Sequence, residues 1–182
     1  MENQYKSIFI QSLKIGTYLG AINIIITLLL YILNVNMISI GFSIGYLIFS
    51  IILTIIFFIY GMRYIRENYL DGVISYGYKF IIGLIIGLIS AWIGGILSIL
   101  LYVYYDPGYI SEQIDSLIIK LEELGMDETL IIKQEKDLID SFTLIGQLKT
   151  LFIKTPIFVI VLSLIISAFV KKQKDTDTGQ IL

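Results

Sequence analysis

The sequence predicts an all-α membrane protein: four transmembrane helices, with an amphipathic acidic helical hairpin between the third and the fourth. Three observations carry this reading. Hydrophobic residues make up 57% of the chain and charged residues 15%, against about 45–50% and about 25% in soluble domains. Long stretches hold no charge at all, the longest running from residue 15 to residue 62. One stretch breaks the pattern: residues 106–149 hold ten of the fifteen acidic residues beside four lysines, a net charge of −6. Length and composition fit one membrane domain over residues 1–182.

The N-terminal arm carries Lys6 and Lys14 and leads into the first span, about 15–33. A signal peptide would have an apolar core of about 7–15 residues and a small-residue cleavage site. This run is longer and lacks that site, so it reads as a retained span. The charge-free stretch is too long for one helix, because about 20 residues cross the hydrocarbon core. Asn34-Val35-Asn36, with Gly41 after it, breaks the stretch, and the second span returns over about 42–60. Next come Arg63, Arg66 and Lys79, with Asp71-Gly72 as a turn and Ser75 as an N-cap. Arg63 and Glu67 are four apart and suited to pair on one helix face. The third span covers about 80–105.

In the acidic insert, 106–149, Asp106 suits an N-cap and Pro107 a first helical position. Ile110, Ile114, Leu117, Ile118, Leu121 and Leu124 then follow at helical spacing. Gly125 ends that helix, and Asp127 caps a second whose apolar set is Leu130, Ile131, Leu138 and Phe142. Helices of this kind can cover each other or rest on the bundle; because the insert's charge is opposite to the one anionic headgroups attract, its apolar stripe is expected to close against its own second helix and to stand off the lipid. The fourth span covers about 151–170. Lys154 lies near its start, where a lysine can snorkel to the headgroups, and Pro156 fits a first helical turn. The polar tail from Lys171 is expected to be disordered. The arm, the 61–79 connection and the tail share eight of the thirteen basic residues. The positive-inside rule then puts both termini in the cytoplasm and the insert outside it.

Within the third span Gly83, Gly87, Ala91 and Gly95 place a small residue at every fourth position. Such a stripe lets helix backbones approach closely, so it predicts helix packing. Gly16/Gly20 and Gly41/Gly45 repeat the spacing once each, and Asn23 suits an interhelical hydrogen bond. No Asp, Glu, Lys or Arg lies deep in a span, which argues against active transport.

Candidate contacts with a protein partner are Glu122, Glu123, Asp127 and Glu128, which flank the turn of the insert. A solvated acidic face is the plainer reading of the same residues, and they do not form a calcium-loop pattern. The chain has no cysteine and no histidine. Thiol chemistry, the commonest general base near neutral pH and the commonest zinc ligand are therefore excluded. No catalytic residue, metal ligand or cofactor is expected. A basic patch for nucleic acid is also absent, which leaves membrane lipid and a protein partner or further copies of the chain. The leading expectation is a non-catalytic interaction or assembly subunit. The alternative is a small transporter or channel acting as a homo-oligomer.

Residues 60–80, YGMRYIRENYLDGVISYGYKF, followed by a glycine-rich span and YYDPGYISEQID, resemble a family. It is the domain of unknown function 4199 family, small four-span bacterial membrane proteins found mainly in Bacteroidota. The resemblance rests on Arg63 and Arg66, on Gly72, Ser75, Tyr76, Gly77 and Phe80 at the entry to the third span, and on Asp106-Pro107 at its exit. The chain departs from the pattern at Asn68-Tyr69-Leu70, which is longer. The resemblance implies four spans and an inner-membrane location. It carries over no catalytic or binding residue.

Overall fold

A computed structural model describes residues 2–171; the tail expected to be disordered lies, beyond Lys171, outside the described residues. Those residues are helical throughout, with short connections and no extended strand. The long helices are α1 (Glu2–Ile32), α2 (Ile40–Tyr69) and α3 (Tyr76–Ile99), the last continuing through a π-wound turn, Leu100–Tyr105. Two helices follow, α4 (Pro107–Glu123) and α5 (Glu128–Phe142). The last long helix is built from α6 (Leu144–Lys149), a π-wound turn (Thr150–Lys154) and α7 (Thr155–Phe169). Four helices, of 26 to 30 residues each, are long and apolar enough to cross a membrane. At about 1.5 Å per residue such a helix is roughly 39–45 Å long, against a hydrocarbon core of about 30 Å. The chain is a multi-pass membrane protein.

The helices outrun the charge-free stretches because a charge does not end a helix; a change of backbone conformation does. Asn34 (φ 50°) closes the first helix, and Asp71 (φ 50°) with Gly72 (φ 82°) turns the chain after the second. Ser75 caps α3, its hydroxyl accepting from the Tyr78 N–H at 3.4 Å. The fourth long helix begins at Leu144 rather than near residue 151. Pro156 is thus inside a continuous helix instead of opening one. Its ring removes an N–H and crowds the carbonyl four residues back, and the π-wound turn just before it widens the helix to make room.

At the centre, α3 has its largest interface with α1 and its next largest with α7, and α2 packs on both α1 and α3. Leu19, Phe58, Met62, Ile65, Ile74, Ile82 and Ile86 form the fully buried core. The buried residues of α2 (Phe58, Gly61, Met62, Ile65 and Arg66) all lie in its second half. Its first half leaves Ile44, Leu47, Ile48 and Ile52 exposed. Lipid tails are as apolar as leucine, so this surface needs no protein cover within a bilayer. The molecule has a basic end, where α1 begins and α2 finishes, and an acidic end, where α4 and α5 sit.

Candidate functional site

At the acidic end, Asp106 ties three elements together. One carboxylate oxygen accepts from the Tyr109 N–H (3.1 Å), capping α4, and the other accepts from the Tyr31 hydroxyl of α1 (2.8 Å). Gln113, one turn further on, reaches the connection between α1 and α2. Its Oε1 accepts from the Met37 N–H (3.0 Å), and its Nε2 donates to the Val35 carbonyl (3.2 Å). The Tyr109 hydroxyl donates to the same carbonyl at 3.1 Å. Tyr109 is buried against Tyr31 and stacks on Tyr102, with centroids 5.8 Å apart. That burial pushes its phenol above the ordinary tyrosine range.

The apolar stripe of α4 is consequently divided. Tyr109, Ile110 and Ile114 cover Leu101, Tyr102, Tyr31, Met37 and Ile38, while Leu117 and Leu121 meet Ile131 of α5. The expectation that this stripe closes on its own second helix is corrected: its first half closes on the ends of the long helices. The reason is polar. Val35 and Met37 carry backbone groups outside any helix, and Gln113 with Tyr109 satisfies them. Of the apolar set of α5, Ile131 is buried and Leu138 and Phe142 pack against these clusters, whereas Leu130 is 55% exposed.

Glu122, Glu123, Asp127 and Glu128 all lie exposed around the α4–α5 turn. Gly125 makes that turn at φ 72°. Asp127 caps α5: its carboxylate accepts from the Thr129 hydroxyl and, at 2.9 Å, from the Thr129 N–H. The hydroxyl bond first, and the N–H bond after it, hold this carboxyl below the usual range. Among the described residues no three carboxylates gather where a metal ion could be held.

The small-residue stripe lies inside the chain. A side chain at Gly83 would strike Ser163 of α7; at Gly87 it would meet Val159 and Phe58; at Gly95 it would strike Leu151 in the π-wound turn. Ala91 and Gly95 also line a cleft of about 280 Å³ with Ser98, Gln147, Thr150 and Thr155. Gly16 and Gly20 face Ile86 and Ile93 of α3, whereas Gly41 and Gly45 have nothing within 4 Å. Asn23 lies near Gly94 on the α3 side. No interhelical hydrogen bond to it is formed among the described residues, because the α3 surface there is glycine and isoleucine.

At the basic end the last turn of α2 and the first turn of α3 grip the finish of α7. Lys79 is buried and donates from Nζ to the Val170 carbonyl at 2.7 Å. Arg66 donates from one terminal nitrogen to the Lys171 carbonyl (3.1 Å) and from the other to Glu67 (3.0 Å). Two cations thus occupy the carbonyl end of a helix, the end its dipole favours for positive charge. The expected Arg63–Glu67 pair is replaced by Arg66–Glu67, because Arg66 lies on the buried face beside α7 while Arg63 is exposed.

Residues 14–172 match the family described as "Protein of unknown function (DUF4199)". The chain belongs to that family. No curated protein and no solved structure matches it. What sequence reasoning missed in this DUF4199 chain are the side chains that fasten elements together: Gln113, Arg66 and Lys79. A glutamine in an amphipathic helix and a cation beside a span carry no pattern that separates a solvated group from a fastened one. The one signal was position, since each lies within a turn or two of a helix end where backbone groups need partners.

Proposed function

We propose that the chain is a non-catalytic interaction or assembly subunit, and that residues 106–149 form an acidic helical hairpin that meets a partner. The supporting observation is the surface around the α4–α5 turn. Glu122, Glu123, Asp127 and Glu128 are exposed there, with Leu124 at 69%, Met126 at 39% and Leu130 at 55% exposed among them. Apolar side chains rimmed by charge mark surfaces that other molecules cover. The net charge of −6 favours a basic partner and speeds its approach. The absence of histidine and cysteine from the chain supports a role without catalysis. A bacterial inner membrane, with the basic end and both termini in the cytoplasm, belongs to the same proposal; it is supported by Lys6, Lys14, Arg63, Arg66 and Lys79 at that end.

The test is a photo-crosslinking residue at Met126. The expected result is one adduct of defined mass in native membranes. It should be lost at high salt, which screens charge over about 8–10 Å or less. It should also be lost when Glu122, Glu123 and Glu128 are changed together to Lys, taking the insert from −6 to 0. Asp127 is left in place because it caps α5. An adduct that survives both treatments would mean the acidic face is solvated surface only. Ion flux through proteoliposomes holding only this protein would favour the homo-oligomeric transporter or channel instead.

A further inference from the structure

Arg66 is a buried charge whose donors are only partly matched. Only 7% of the residue is exposed, and its Nε is buried without a hydrogen-bond partner. An ionised group out of water is costly unless its donors are matched. Arg66 lines a cleft of about 350 Å³ together with Arg63, Glu67, Phe169 and Lys171. Three of those side chains are cations and one is an anion, and the anion is already paired with Arg66. Arg63 has no ion-pair partner among the described residues, and the Arg66 guanidinium has a donor to spare. A planar guanidinium suits the oxygens of a phosphate better than it suits any neutral ligand.

Directly beside it runs a groove of about 390 Å³, lined by Ile56, Ile59, Tyr60, Arg63, Tyr64 and Glu67. Arg63 and Glu67 border both spaces. From Arg63 back to Ile56 the groove descends α2 by seven residues, or about 10 Å at about 1.5 Å per residue. A charged head space at the end of a transmembrane helix, beside an apolar groove with which it shares Arg63 and Glu67, has the form of one ligand class. We propose that the basic end holds an anionic phospholipid, its phosphate between Arg63 and Arg66 and one acyl chain along Ile56, Ile59 and Tyr60. Phe169 is 80% exposed at the rim and covers the glycerol region. Bound there, the lipid also bridges α2 to the finish of α7, the two elements that Arg66 already joins.

The full-length chain purified in mild detergent is melted with phosphatidylglycerol, with phosphatidylcholine at the same mole fraction, and with inorganic phosphate. Phosphatidylglycerol is expected to raise Tm by several degrees more than phosphatidylcholine. Arg63→Gln, a change at an exposed residue, should remove most of that increment while leaving the lipid-free Tm unchanged. Arg66→Gln should remove it too, with a lower starting Tm. Ile56→Trp, which fills the groove, should reduce the phosphatidylglycerol increment by at least half. Native mass spectrometry of delipidated protein to which phosphatidylglycerol is added should find one bound lipid on the unmodified protein and none on Arg63→Gln. Equal shifts from the two lipids, or a full increment in Arg63→Gln, would overturn the site. Inorganic phosphate giving the whole increment, with Ile56→Trp silent, would overturn the lipid and leave a free-anion cleft.

Discussion

A leucine at position 87 would have to enter space that Val159 and Phe58 already fill. Overpacking of that kind costs about 1–3 kcal/mol, and each kcal/mol is worth about 2–4 °C in a chain of this size. Gly87→Leu is therefore expected to melt several degrees below the unmodified protein in detergent. Gly45→Leu makes the same chemical change where nothing lies within 4 Å, and leucine is the better helix former by most of a kcal/mol. Its Tm should not fall. Equal losses in the two variants would show that close packing is not what sets glycine apart at position 87. The contrast also marks a limit of reading spacing alone. Gly83/Gly87 and Gly41/Gly45 look alike in the sequence, yet the first pair lies at a helix contact and the second on an open face.

Among the elements, α4 is fastened to the 33–39 connection by Gln113 and Tyr109. Gln113 supplies the one partner of the Met37 N–H, whereas the Val35 carbonyl it also binds is shared with the Tyr109 hydroxyl. Gln113→Leu keeps much of the volume and orphans one backbone donor instead of two groups. A buried unsatisfied donor costs about 1–3 kcal/mol. The expected result is faster amide exchange over residues 33–39 and at the start of α4, with α5 little changed; protection unaltered at 33–39 would mean that the Asp106 and Tyr109 bonds and the apolar contacts hold α4 down without Gln113. The start of this helix was legible beforehand, because Asp106-Pro107 is a local signal and Gly125 a local stop. Its docking was not. Which surface an amphipathic helix covers is decided by unpaired backbone groups on a connection some 75 residues away. The two π-wound turns were equally out of reach, since hydropathy carries no record of which carbonyl an N–H selects. Lys154 and Lys149 hid the early start of the fourth long helix, because charge was used to mark the edge of a span.

For the whole molecule, charge argues the direction in which it is inserted. The four long helices alternate, so the start of α1, the finish of α2, the start of α3 and the finish of α7 share one end. The side-chain bonds across that end show it: Gln4 to the Tyr69 carbonyl, Lys79 to the Val170 carbonyl, and Arg66 to the Lys171 carbonyl. Lys6, Lys14, Arg63, Arg66 and Lys79 thereby collect within a few turns of one membrane face, while the 33–39 connection at the other has no basic residue. Basic residues close to span ends are retained on the cytoplasmic side, and acidic ones weigh little in that choice. The four lysines of the insert pull the other way. They are outnumbered by neighbouring carboxylates but still count as basic residues, so the prediction turns on those nearest the spans. The chain has no cysteine, and a single introduced one therefore reports without background. Ser116, exposed on α4, and Asn68, exposed at the finish of α2, lie at opposite ends. In sealed right-side-out vesicles an impermeant maleimide should label Ser116→Cys at once and Asn68→Cys only after detergent is added. Labelling in the reverse order would place the acidic end in the cytoplasm, and any basic partner would then have to be sought there.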